Sequence, residues 1–273
     1  MTHRPLILIT NDDGIDSPGL TAAVAAVYDL GEVLVVAPKD QQTGASRNFL
    51  RRTGTRYEET LLVNGVEIPA LAFEASPAQV TRAGIMLFAS RKPDLVVAGI
   101  NYGENVGDGI TISGTVGAAI EAASLSVPAL AVSLETEIAY HLTNEDAVDF
   151  SSAAVITRRL VEHVLAQPWP AGIDILKVDI PQDATPDTPW RVTRVSRQRY
   201  FESRVEDNPA EGRPNFTGYE RRVDFDTLEP DSDIHALLVD RVVSISPLTI
   251  DLTAHRQLPD LATWLNARKE ILS

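Results

Sequence analysis

Leu6-Ile7-Leu8-Ile9-Thr10-Asn11-Asp12-Asp13-Gly14 opens the chain with four apolar residues and closes on two adjacent acids, and its reading decides the fold. An unbroken Leu/Ile run without polar alternation describes a strand buried on both faces, as in a parallel sheet. Ser17-Pro18-Gly19 then supplies an N-cap and a proline suited to the first helical position, and the Ala/Val/Leu-rich stretch 20–30 predicts a helix. The pattern repeats downstream. Val33-Leu34-Val35-Val36-Ala37 is a strand stopped by Pro38, and Leu71-Ala72-Phe73 ends a shorter one. Ser76-Pro77 opens a helix to about residue 89, and 94–99 is another buried strand. An Ala-rich helix over 113–124, a strand over 129–133, a long amphipathic helix over 145–165 and a strand over 174–178 complete the alternation. Strands alternating with helices imply an α/β fold with a parallel sheet covered on both faces.

Beyond residue 180 the character changes. Residues 181–230 are rich in proline and charge, with strands expected near 190–199 and 218–225. Trp190, Tyr200, Phe201, Phe216 and Tyr219 favour an ordered hairpin over disorder. We expect one domain over 1–273, with 181–240 an arm that projects and needs a partner to cover its face. Val243-Ser244-Ile245-Ser246-Pro247-Leu248 and a helix over 259–271 close the chain.

The 273 residues carry 24 Lys+Arg against 38 Asp+Glu, a net charge of −14, and no cysteine. Such a balance excludes a nucleic-acid polymer or an anionic membrane as main partner, since both need a basic face. Disulfides, thiolate catalysis and Cys-ligated metals are excluded as well. No apolar run reaches about 18 residues, so no membrane span is expected and the location expected is cytoplasmic. The acidity is uneven: residues 1–100 have a net charge of −2 and residues 101–273 one of −12.

Asp12 and Asp13 repel one another, and neither is easily buried without a counter-charge. A hard divalent cation resolves the conflict, because Mg²⁺ takes one or two carboxylates and completes its shell with water and phosphate oxygens. An ordinary Asp-Gly turn is the competing account. Two later loops also sit at expected strand ends: 41–47, with Thr43, Gly44, Ser46 and Arg47, and 99–109, with Asn101, Asn105 and four glycines. In open α/β sheets ligands bind beyond the carboxyl ends of the strands, so Asp, Thr and Asn side chains could converge on one oxygen-liganded ion. Ser113-Gly114-Thr115 opens a helix, and its free N–H groups and hydroxyls suit a phosphate as well as an ordinary cap. A dinucleotide fingerprint, a P-loop lysine and a Gly-x-Ser-x-Gly elbow are all absent. The five histidines lack metal-ligand spacing, and Arg51-Arg52 and Arg221-Arg222 read as solvated charges.

Together, 10–14, Thr43-Gly44-Ala45-Ser46, Gly99-Ile100-Asn101, Ser113-Gly114-Thr115-Val116 and the closing 243–248 and 251–255 resemble the SurE family. That family comprises metal-dependent phosphatases of nucleoside monophosphates. The resemblance spans nearly the whole chain. It implies a Rossmann-like three-layer α/β/α sandwich, one Mg²⁺ or Mn²⁺ per subunit, and homodimers or homotetramers built by exchanging C-terminal elements. Carried over by motif, the metal ligands are Asp12, Asp13, the Thr43 hydroxyl and Asn101. The family commonly has Ser at 43 and often Pro where this chain has Glu104; Asn105 is retained.

The reaction so implied is hydrolysis of nucleoside 5′-monophosphates, or of 3′-monophosphates, by an activated water in line at phosphorus. Asn11, Asn105 and the groups of Ser113, Gly114 and Thr115 would hold phosphate oxygens, and Asp12 would orient or deprotonate the nucleophile. Direct attack by a carboxylate stays open. The rival enzyme class is a nucleotide or sugar transferase holding a diphosphate on the same carboxylates. A receiver-like phosphoacceptor domain ranks behind, because the strand at 94–99 ends in Gly-Ile-Asn and lacks an acceptor Asp.

Overall fold

The computed structural model describes residues 4–51, 54–141, 147–208 and 212–266. Its order is β1 (Leu6–Thr10), α1 (Pro18–Val27), β2 (Glu32–Pro38), β3 (Arg56–Val63), β4 (Val66–Phe73), α2 (Pro77–Ala83), β5 (Leu95–Tyr102) and α3 (Gly114–Ser124). Then follow β6 (Ala129–Leu134), α4 (Ser151–Ala166), β7 (Ile175–Ile180), β8 (Trp190–Val192), β9 (Phe201–Asn208), β10 (Arg213–Arg221), α5 (Asp233–Leu238), β11 (Val243–Leu248) and α6 (Leu258–Asn266). One mixed, mostly parallel sheet runs β3-β4-β2-β1-β5-β6-β7-β11-β8. The chain is therefore an α/β protein, as the alternation predicts.

The sheet's two faces are legible in the pleat. Ile7 and Ile9 of β1 pack with α1 and α4, whereas Leu8 joins the Ala-rich face of α3. All five residues of β1 and all six of β6 are buried, which accounts for their lack of polar alternation. In β5 the pairing with β6 slips between Ala98 and Asn101, so three steps on β5 match two on β6. That extra residue inverts the alternation. Ile100 and Tyr102 join Leu95 and Val97 on the α1/α4 side, and Asn101 is turned toward the face that carries α3.

The helix expected from Pro77 to about 89 does run to Phe88, as α2 followed without a break by one wider π turn over Gly84–Phe88. Three expectations need correction. The short strand ending at Phe73 is the second half of a hairpin, β3–β4, joined through Asn64-Gly65 with both residues at positive φ. The strand expected near 190–199 shrinks to β8 and adds to the main sheet beside β11. The antiparallel arm is instead β9–β10, narrower than 181–240 because α5 is buried against the sheet. The ends of the helices expected over 145–165 and 259–271 lie partly outside the described residues; α4 begins at Ser151.

Candidate active site

β1 delivers Asp12 and Asp13 to the sheet's carboxyl edge at the point where the strand order reverses. The chain leaves β1 toward β2 on one side and later returns to β5 on the other. This is where open α/β sheets place their ligands. A cavity of about 500 Å³ opens there, and Asp12, Thr43, Asn101, Asn105 and Ser113 all line it. The loop carrying Thr43 is seated by the Gln42 N–H, which donates to the Asp12 carbonyl at 2.6 Å.

Both acids are almost wholly buried, Asp12 at 3% and Asp13 at 1% exposure. Burial pushes Asp12 up to about 6 against an ordinary 3.8, while hydrogen bonds from Thr115 and the α3 N–H groups pull it down. Asp13 lies well above its ordinary range, first through burial and then through the charge of Asp12. The Thr115 hydroxyl donates to Asp12 Oδ1. Asp13 Oδ1 accepts from Gln41 Nε2 at 3.1 Å, and Oδ2 from the Tyr102 N–H at 3.2 Å. These are neutral donors, and the mutual repulsion is what a divalent cation relieves.

Asn101 adds a third oxygen. Its amide nitrogen donates to the carbonyls of Tyr102 at 3.1 Å and Gly103 at 2.8 Å. Two acceptor partners require the NH₂ group on that side, leaving Oδ1 for the cavity. With the Thr43 hydroxyl, the donor set is all oxygen and suits Mg²⁺ or Mn²⁺. Among the described residues no three His, Asp or Glu side chains gather as a metal cluster.

The remaining expected residues divide differently. Ser113 lines the cavity and caps α3 by accepting the Val116 N–H at 3.1 Å. Gly114 and Thr115 stand behind Asp12, and their N–H groups stabilise its carboxylate. The positive end of α3 therefore serves the acid in this structure. Gly114 is required by contact, since a Cβ there would lie 2.5 Å from Asp12 Oδ2 and 2.6 Å from its Cβ. The structure does not bring Asn11 to the cavity. Its amide donates to the Gly14 carbonyl at 2.9 Å, and its buried Oδ1 has no hydrogen-bond partner among the described residues. Asn105 does line the cavity, and its Nδ2 donates to Ser133 Oγ at 2.8 Å.

Sequence reasoning noted an extra acid at Glu104 but missed the partners that surround it. Glu104 lines the cavity, buried, and its Oε1 accepts from the Tyr200 hydroxyl and from Arg221, each at 2.7 Å. Burial raises the Glu104 carboxyl, and the Arg221 charge opposes that rise. Arg221 is thus no solvated charge; it also reaches the Thr136 carbonyl and Glu135. Arg222 and Arg51 are exposed as expected, and Arg52 lies outside the described residues. His141 also lines the cavity. Burial lowers it to about 4, so it is neutral, and its Nδ1 lies 2.8 Å from the Tyr219 hydroxyl of β10. The available signal was the aromatic density of 200–219, which marks a hairpin that folds onto the site as well as one that stands off it.

A doubly covered, mostly parallel sheet with a buried acidic pair, a hydroxyl loop and an amide at its switch point defines an α/β class that takes its ligands beyond the carboxyl ends of the strands. Comparison with known proteins is specific. A profile described as survival protein SurE matches residues 7–202. The 5′-nucleotidase SurE of Thermococcus gammatolerans is 43% identical over 249 residues, 91% of each chain. That of Thermococcus kodakarensis is 39% identical over 264 residues, covering 96% of this chain and 99% of its own. The crystal structure of the SurE protein from Aquifex aeolicus superposes with a TM-score of 0.73 at 29% identity, covering 95% and 99% of the two chains. The chain belongs to the survival protein SurE family.

Proposed function

We propose that this protein is a divalent-metal-dependent nucleotidase, releasing phosphate from nucleoside 5′-monophosphates. The observation that carries the reading is the buried Asp12–Asp13 pair, whose first member lines one cavity with Thr43 and Asn101 while Asp13 stands directly behind it. The relatives named 5′-nucleotidase SurE, alike over nearly their whole length, support the substrate class.

Asp12, Asp13, Thr43 and Asn101 would hold the ion, which supplies Lewis-acid stabilisation of the phosphoryl charge and acidifies a nearby water. The chain's own residues do the rest. The Thr115 hydroxyl and the N–H groups of Gly114 and Thr115 hold the Asp12 carboxylate in place, and that carboxylate would orient the attacking water and receive its proton. Gln41 and the Tyr102 N–H keep Asp13 in place. Ser113 and Asn105 face the phosphate oxygens from two sides of the cavity, and Asn11 positions the turn at Gly14. Neutral His141 lines the cavity beside Phe201 of β9 and Tyr219 of β10, whose rings pack edge to face.

Segment 249–266 is exposed throughout, with Leu252 at 93% and Trp264 at 72% exposure, and this supports a homodimer or homotetramer that buries it. No described helix is long and apolar enough to cross a membrane, and we place the activity in the cytoplasm. Asp12→Asn tests the assignment. Turnover should be lost while the circular dichroism spectrum stays that of the parent, and retention of near-parental turnover would overturn it.

A further inference from the structure

We propose that Lys177, Asp179 and Asp233 form a buried ionic network that positions the loop 103–107 over the cavity, and so sets the alignment of Asn105 toward the substrate phosphate. This rests on the nucleotidase reading for the identity of the substrate; the positioning itself does not.

All three side chains are wholly buried. Lys177 and Asp179 are two apart on β7 and share the face that begins, at Ile175, as part of the α3 core. Toward the strand's carboxyl end this face turns from Ile to Lys to Asp, where the loop after β5 crosses it. Lys177 Nζ donates to Asp179 Oδ2 and lies 3.1 Å from Asp233 Oδ2. The carboxylates then spend their remaining capacity on backbone. Asp179 Oδ1 accepts the Asn105 N–H at 2.8 Å, and Asp233 accepts the N–H groups of Gly107 at 3.1 Å and Ser196 at 2.9 Å. Asn105 is held a second time, from its side chain, by Ser133 on the neighbouring strand β6.

Two carboxylates and one ammonium are more charge than packing asks for in a strand interior. Buried ion pairs rarely stabilise better than apolar residues of the same volume. What this set does that apolar residues cannot is hold two N–H groups of the cavity loop with charge-assisted bonds. The N–H groups of Asn105 and Gly107 are thereby committed to the protein, and the Asn105 side chain is left as the loop's contribution to the substrate. A displacement of about 1 Å at such a residue costs up to about a hundredfold in rate.

The test uses the full chain and two variants, Asp179→Asn, which keeps the shape and one acceptor oxygen, and Asp179→Ala, which removes both. Both are assayed well below their own melting temperatures. Amide hydrogen exchange over 103–107 should rise strongly in Asp179→Ala, less in Asp179→Asn, and little in β1. kcat/KM for a nucleoside 5′-monophosphate should fall about tenfold or more in Asp179→Ala, chiefly through KM, with partial recovery in Asp179→Asn. Mn²⁺ affinity should stay within about twofold of the parent, since none of the proposed ligands belongs to the network. Parental exchange over 103–107 in Asp179→Ala would overturn the positioning role, and so would a parental KM. Should the parent chain itself hydrolyse no nucleotide, the nucleotidase reading fails, and the exchange experiment alone decides the network's role.

Discussion

Gly114→Ala places one methyl group against the centre of the site. Its carbon would lie 2.5 Å from Asp12 Oδ2 and 2.6 Å from Asp12 Cβ, whereas ordinary contact begins near 3.4 Å. Asp12 or the first turn of α3 must therefore move by about 1 Å. Backbone cannot yield freely on either side, because β1 is fully buried and α3 packs along most of its length. Overpacking of this kind costs about 1–3 kcal/mol. Displacing Asp12 from the Thr115 hydroxyl adds a charge-assisted hydrogen bond of about 1.5–3 kcal/mol. Alanine's better helix propensity returns at most about 1 kcal/mol. The net loss of about 2–4 kcal/mol should appear in denaturant melts taken with chelator. A 1 Å error in the acid should lower kcat/KM about a hundredfold and weaken Mn²⁺ binding measured by calorimetry. A Gly114→Ala protein with parental stability and parental Mn²⁺ affinity would refute the contact argument.

Three further outcomes follow from the same geometry. With chelator present, Asp12→Asn should be more stable than the parent at pH 7 and equal to it near pH 4. The parent's carboxyl, raised from 3.8 to about 6 by burial, contributes stability that is complete below 3.8 and lost as pH rises through about 6, about 3 kcal/mol in all. Denaturant melts at the two pH values check the sign, and a variant less stable at pH 7 contradicts it. Glu121→Gln should lower stability by about 1–3 kcal/mol and weaken Mn²⁺ binding, because buried Glu121 on α3 holds Arg47, at 2.7 Å, in the loop that carries Thr43, and also holds Arg82; parental binding by calorimetry would separate that loop from the metal site. A chain ending at Leu248 should form a smaller assembly than the full chain in size-exclusion chromatography with light scattering, and an unchanged number of subunits would remove segment 249–266 from the interface.

The parallel core was legible because its signals are local. Leu6–Ile9 and 94–99 lack alternation since both their faces are covered, and Ser113-Gly114 and Ser76-Pro77 announce helix starts by capping chemistry. Asn64-Gly65 between alternating strands carried an equally local hairpin signal, although Pro69 within β4 obscured it. The acids and amides of the site could be named from strand ends, but their division of labour could not. The bulge at Gly99–Ile100 that turns Asn101 toward the α3 face arises from pairing with β6. The diversion of the α3 N–H groups to Asp12 depends on how closely Gly114 approaches β1. Glu104 and Arg221 are 117 positions apart and meet only because the β9–β10 hairpin folds back over the cavity. Lys177 was visible as a charge in an expected strand, but Asp179 lay just past that strand's expected end at 178, and their partner Asp233 comes from a helix beyond the hairpin. Long-range contacts of that kind leave no periodic trace.

Phosphate release by the purified full chain from nucleoside 5′-monophosphates, measured with Mg²⁺, with Mn²⁺ and with chelator, is the most direct test of the nucleotidase assignment. Release is expected with either ion, none with chelator, and none from Asp12→Asn under any condition. Release that persists in chelator, or no release from any nucleoside monophosphate with either ion, would contradict it.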